Sequence, residues 1–202
     1  MIREIIVKLN ESVKINDLIE GKLSKDEVEK IYEEIKNYLP KIFTEEKIKK
    51  MEELTDIPGN KWEEVKCNKS KAFLYKSGDA MPWIGVLMLN DKLFVLSFPS
   101  KKMGENAKKT IQSFTRLAKK NAKNEGANKI SDGWNFSDFP GFCEDVDIRH
   151  GIRGVFDKGK KIPAFVNYYI SWYDDNRKYQ ERLYSMKLED IKKMYKDMVD
   201  SL

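Results

Sequence analysis

The chain has 202 residues, of which 41% are hydrophobic and 35% charged, and its net charge is +5. That length suits one domain or two small ones, the hydrophobic share is enough for a core, and the charged share exceeds the usual quarter, so a soluble, ordered protein is expected. No apolar run nears the roughly eighteen residues of a membrane span, and Ile5-Ile6-Val7 is too short for the apolar centre of a signal peptide. Cys67 and Cys143 lack metal-ligand spacing, so the expectation is a cytoplasmic protein with reduced thiols, no membrane partner and no cofactor.

Residues 1–60 read as a helical segment. Ser24 followed by Glu27 fits a capping box. Val28, Ile31, Tyr32, Ile35, Tyr38 and Leu39 then recur at helical spacing. Pro40 is expected to stop that helix, because the residue before proline disfavours helical backbone. Thr44 is placed to cap a second helix with Ile48, Met51 and Leu54 on one face, and Ile57-Pro58-Gly59-Asn60 breaks the pattern. The segment carries 11 basic and 14 acidic residues, net −3. A helical pair packed on the rest of the chain is expected, rather than a phosphate binder.

Residues 61–130 change character. Ala72 to Tyr75, Trp83 to Leu89 and Leu93 to Phe98 read as three strands, with Asn90-Asp91-Lys92 as a tight turn. Ser100 precedes a helix running to about Lys123, with Ile111, Phe114, Leu117, Ala118 and Ala122 as its buried stripe. This stretch holds 15 basic and 6 acidic residues, net +9. Lys108, Lys109, Arg116, Lys119, Lys120 and Lys123 fall on the solvent side of the helix. Lys101 and Lys102 stand at its start, where unpaired amides and the helix dipole favour a phosphate. Such a grouping is the electrostatic footprint that nucleic acid attracts, and equally an ordinary solvated lysine face. Ser100-Lys101-Lys102, with Ala107-Lys108 following, resembles the phosphate-contacting helix start of double-stranded-RNA-binding domains.

Residues 131–202 hold 12 basic and 13 acidic residues, net −1. From Ser131 to Phe142 turn formers alternate with aromatics, which reads as an ordered loop packed by its own rings. Three strands then follow, at His150 to Phe156, Ala164 to Tyr173 and Lys178 to Tyr184, with Asp174-Asp175-Asn176 as a turn. A terminal helix from about Met186 to Leu202 presents Leu188, Ile191, Tyr195, Met198, Val199 and Leu202 on one face. The order strand, strand, strand, helix thus occurs at 65–123 and again at 150–202, an internal structural repeat. The fold class expected is α+β: an N-terminal helical segment (1–60), then two three-stranded antiparallel sheet-plus-helix units (61–130 and 131–202).

Three strands, a terminal helix and the triplet Arg153-Gly154-Val155 in the first strand make residues 150–202 similar to the AP2 DNA-binding domain. The resemblance implies that Arg and Trp side chains on the open sheet face read the major groove, which singles out Arg153, Trp172, Arg177 and Arg182. The middle strand carries few basic residues, and Phe156 stands where that family often has Arg. Tyr168, Tyr169, Trp172 and Tyr173 could stack bases, although alternate members must face the helix. Trp62 and Trp83 are read as core.

Catalytic groups are scarce. One histidine, His150, makes a nucleophile–base arrangement hard to build, and no phosphate-cradling glycine loop of the required spacing occurs. Glu144, Asp145 and Asp147 have the oxygen ligands a Mg²⁺-dependent nuclease uses, but loop carboxylates are commonly just solvated, so no metal site is expected. The function expected is non-enzymatic binding of nucleic acid, duplex DNA favoured, in a phage or mobile-element setting. The alternatives are a protein-binding inhibitor of a nucleoprotein complex, such as an anti-CRISPR protein, and a metal-dependent nuclease.

Overall fold

The computed structural model describes residues 15, 18–55, 61–67, 70–77, 80–89, 92–96, 101–134 and 168–202. Among these, in chain order, lie β1 (Ile19–Glu20), α1 (Lys25–Ile42), α2 (Glu45–Thr55), β2 (Lys61–Cys67), β3 (Ser70–Ser77), β4 (Ala80–Leu89), β5 (Lys92–Leu96), α3 (Lys101–Asn124), β6 (Ser131–Trp134), β7 (Tyr168–Tyr173), β8 (Tyr179–Ser185) and α4 (Leu188–Asp200). The α+β class is as expected. Two antiparallel sheets carry it, one ordered β2-β3-β4-β5 and the other β1-β8-β7-β6. Among the described residues each sheet has four strands where three were expected, and the strand expected at His150 to Phe156 lies outside those residues. Lys61–Cys67 adds an edge to the first sheet. In the second, Ser131–Trp134 is a strand rather than a loop, and two residues of the N-terminal segment pair with β8.

The capping box forms as its residues require. The Glu27 N–H donates to Ser24 Oγ at 3.2 Å, and the Ser24 N–H donates back to the Glu27 carboxylate at 2.7 Å. Those bonds hold the Glu27 carboxyl below its usual range. α1 then buries Val28, Ile31, Tyr32, Ile35 and Leu39. Pro40 does not stop it: the helix runs on to Ile42, and the Phe43 N–H still reaches the Leu39 carbonyl at 3.1 Å. One missing backbone bond costs less than exposing Leu39 and Phe43, both buried in the core. Thr44 caps α2 through its Oγ1, and Met51 is buried, but Leu54 is 56% exposed.

α1 covers β4 and β5 of the first sheet. Its acidic residues turn partly inward. Lys71 of β3 bonds Glu29 at 3.0 Å and Glu33 at 2.7 Å, with its ammonium 4.5 Å from the Tyr32 ring centre, and Lys36 pairs with Glu64 of β2 at 2.7 Å. The face toward the helices carries Tyr75, Ile84, Val86 and Met88. Trp62 stacks on Phe73 at 4.8 Å and meets Phe43 edge-on at 5.5 Å, which confirms Trp62 as a packing residue.

The expected partnership of each helix with its own preceding strands is not what forms. α3 follows the first sheet in the chain but packs on β7 of the second, where Phe114 meets Tyr168 at 5.7 Å. α4 packs on α3 and α1. Its Tyr195 hydroxyl donates to the Gly85 carbonyl of β4 at 2.5 Å. The reason is the distribution of apolar surface. α3 buries Met103, Ala107, Phe114, Ala118 and Ala122, and α4 buries Ile191, Met194, Tyr195, Met198 and Val199. Those stripes, α1 and the inner faces of both sheets form one continuous cluster. Gly85 is obligatory at its position, since a Cβ there would lie 2.0 Å from the Phe73 carbonyl oxygen. Among the described residues no helix is long and apolar enough to cross a membrane.

The Tyr195–Gly85 contact yields a graded expectation for urea unfolding. Tyr195→Phe removes a buried hydrogen bond and should cost about 0.5–1.5 kcal/mol. Gly85→Ala forces backbone apart and should cost at least as much, about 1–3 kcal/mol or more. Leu54→Ala, on the surface, should stay within about 0.5 kcal/mol. A Tyr195→Phe protein as stable as the parent would remove this contact from the account.

Candidate nucleic-acid interface

α3 is the element on which the cationic candidates gather. Glu105 is its one acidic residue. At 3.6 residues per turn, positions 7, 11 and 14 residues apart lie close to whole numbers of turns, so Lys109, Arg116, Lys120 and Lys123 share one narrow sector. All four are exposed, as is Lys108 beside them. At a rise of 1.5 Å per residue the stripe from Lys109 to Lys123 is about 21 Å long. Among the described residues none of these five cations has an ion-pair partner, and Arg116–Lys120 and Lys120–Lys123 set like charges four and three residues apart on the helix, each pair costing a few tenths of a kcal/mol. Lys101 and Lys102 open the same helix.

Two expected contributors are occupied elsewhere. Lys119 pairs with Asp132 of β6 at 2.9 Å, and Asp132 also accepts the Tyr168 hydroxyl. Burial first, then that carboxylate, pushes the Tyr168 phenol far above its usual range. Arg182 of β8 pairs with Glu125, just past α3, at 2.7 Å, and its guanidinium lies 5.4 Å from the Trp172 ring centre. Tyr184, two residues on, is pushed up to about 12, by burial first and then by Glu125. These pairs fasten the C-terminal half of α3 to the second sheet and leave the opposite side of the helix cationic.

The open-face reading of Trp172 and Arg182 is corrected by strand parity. Tyr168, Ile170 and Trp172 alternate onto the face that packs toward α3, and Trp172 is 3% exposed. Arg182 stands opposite Ile170 in the ladder and shares that face. The open face instead carries Tyr169, Tyr173, Tyr179 and Glu181. Arg177 is exposed in the β7–β8 hairpin with a left-handed φ of 60°, its N–H donating to the Asp174 carbonyl at 2.9 Å. Arg153, its Gly154-Val155 neighbours, His150 and the carboxylates Glu144, Asp145 and Asp147 lie outside the described residues. The position beside Tyr168–Ser171 is held by β6. Among the described residues no group of His, Cys, Asp or Glu could hold a metal.

Glu125 and Asp132 were missed by sequence reasoning. Neither stands at a fixed helical or strand spacing from the cation it holds, so that pairing is set only by the fold.

Removing the Arg182 guanidinium should lower stability more than removing an α3 stripe cation. Arg182→Ala loses an ion pair and a ring contact, worth about 1 kcal/mol together. Lys120→Ala should stay within about 0.5 kcal/mol. Melting both variants against the parent checks this, and equal melts would show that Arg182 fastens nothing.

No protein-family model, curated protein or solved structure matches this chain.

Proposed function

We propose that this protein is a non-enzymatic nucleic-acid-binding protein that grips the phosphate backbone of duplex DNA with the exposed face of α3. The observation that carries the reading is the stripe Lys109, Arg116, Lys120 and Lys123, with Lys108 beside it, exposed and without an ion pair among the described residues. Unrelieved like-charge repulsion on one helix face is relieved when an anion array lies along it. A phosphate backbone is such an array, with one charge per about 1.7 Å of duplex axis.

The inward turn of Trp172 and the engagement of Arg182 take away two base-reading candidates, so backbone contact rather than sequence readout is the mode supported. Arg177, exposed at the hairpin tip, and Lys101 and Lys102 at the start of α3 are the further cations of this reading. A nucleoprotein complex offers the same phosphates, and the inhibitor reading would use the same helix.

Binding to a fluorescein-labelled 30-base-pair duplex should weaken steeply with salt. Four to five phosphate contacts predict a log–log slope of about −4 for duplex and about −3 for a single strand. Replacing Lys109, Arg116, Lys120 and Lys123 together with Glu should abolish binding, whereas Lys119→Ala should change it little. A slope near zero, or a quadruple variant that binds as tightly as the parent, sinks the proposal. Capture of a protein that survives nuclease treatment, with no binding to free duplex, moves the inhibitor reading ahead.

A further inference from the structure

Among the described residues, no strand lies along one side of the first half of β8. β1 pairs with β8 only at Ser185 and Tyr184, and the last bond along that side is from the Gly21 N–H to the Leu183 carbonyl, at 2.8 Å. Gly21 has φ +94°, the left-handed region, and there the chain turns off β8 toward Ser24 and α1. In an antiparallel strand the backbone groups of alternate residues point to the same side. Leu183 faces β1, so the N–H and C=O groups of Tyr179 and Glu181 face that side too. No strand of the described residues pairs with them there. The Glu181 carbonyl is met by Arg182 Nη1 at 2.8 Å, and among the described residues the other groups of this edge have no strand to pair with.

The adjoining sheet face has a composition of its own. Tyr173 and Tyr179 are 68% and 52% exposed and meet edge-on at 5.7 Å. The Tyr169 and Tyr179 hydroxyls bond each other, and Glu181 accepts from Tyr169 at 3.0 Å. The hydrogen bond to Tyr179, then desolvation and Glu181, push the Tyr169 phenol up to about 12. Glu181 is exposed and, among the described residues, has no cation paired with it. In a protein of net charge +5, an exposed aromatic face that carries one carboxylate, Glu181, beside a strand edge unpaired among the described residues, contrasts with the α3 surface.

We propose that the Tyr179–Arg182 edge of β8 is a docking site for an extended basic segment of a partner protein. The segment adds antiparallel to β8, in line with β1, and sets a Lys or Arg opposite Glu181 on the tyrosine face. Main-chain bonds to Tyr179 and to the Glu181 N–H hold the added strand, and the side-chain alternation selects the charge. A second copy of this chain fits poorly. Antiparallel pairing of two β8 edges about Gln180 or Glu181 brings the two Glu181 carboxylates opposite or diagonal to each other, and like charges so placed are destabilising.

Nitrogen-15 amide spectra of the full chain test this with three capped heptapeptides: alternating valine and lysine, the same with glutamate for lysine, and the valine–lysine peptide N-methylated at alternate residues. The valine–lysine peptide should bind and shift the amides of Tyr179 to Leu183, leaving those of α3 in place. Glu181→Gln should weaken it about tenfold, the loss of one charge-assisted contact. Glu181→Lys should abolish it, and N-methylation should abolish it in the parent. Unchanged affinity in Glu181→Lys, equal binding of the N-methylated peptide, or shifts confined to other elements overturns the proposal. So does a dimer at micromolar concentration whose own shifts fall on Tyr179 to Leu183, which would assign the edge to a second copy.

Discussion

The hydroxyl of Tyr195 on the carbonyl of Gly85 is the point on which the two sheets depend. It joins the last helix to the central strand of the first sheet, 110 residues earlier in the chain. Burial alone pushes the Tyr195 phenol well above its usual range, which favours the neutral, donating form. β4 passes so close to Phe73 that no side chain fits at position 85, which accounts for a glycine in the middle of a ten-residue strand. α4 is then fixed against α3 and α1, and both sheets share one core.

α3 shows how one helix can serve structure and recognition without conflict. Its apolar stripe meets β7, two cation–carboxylate pairs hold its flank to the second sheet, and the remaining sector collects charge with little to neutralise it. Anchoring and display draw on different residues of the same lysine-rich sequence. Lys119 and Lys120 are neighbours in the chain, yet the first bonds Asp132 and the second faces solvent, because 100° of helix rotation separates them.

Much of this was legible locally. Capping, apolar period and strand alternation fixed α1, α3, α4 and the centres of β3, β4, β5 and β7, because each rests on residues within a turn or two of each other. The misses are long-range. Ile19–Glu20 is too short for a strand signal and becomes one only because Tyr184–Ser185 offers an edge. Ser131–Trp134 carries turn formers, and its strand character is conferred by β7. The pairing of α3 with the second sheet could not be read from order along the chain, since both sheets offer an apolar face. For the candidate site, the exposed side of α3 followed from helical spacing. The loss of Trp172 and Arg182 from the open face followed from strand parity, which is set by the register of β7 against α3.

The seam between β1 and β8 has a consequence for how the chain comes to be folded. Ile19 meets Ser185, so a bridge near the beginning waits for a strand near the end. During synthesis α1 and the first meander can gather as they emerge, whereas the second sheet has no flank along β8 until nearly the whole chain is available. Closure of such remote partners is slow because the loop entropy is spent before the contact rewards it. Ile15 and Leu18, buried in the finished core, are without that core until then. The second sheet is therefore completed by a pairing between two segments far apart in the sequence.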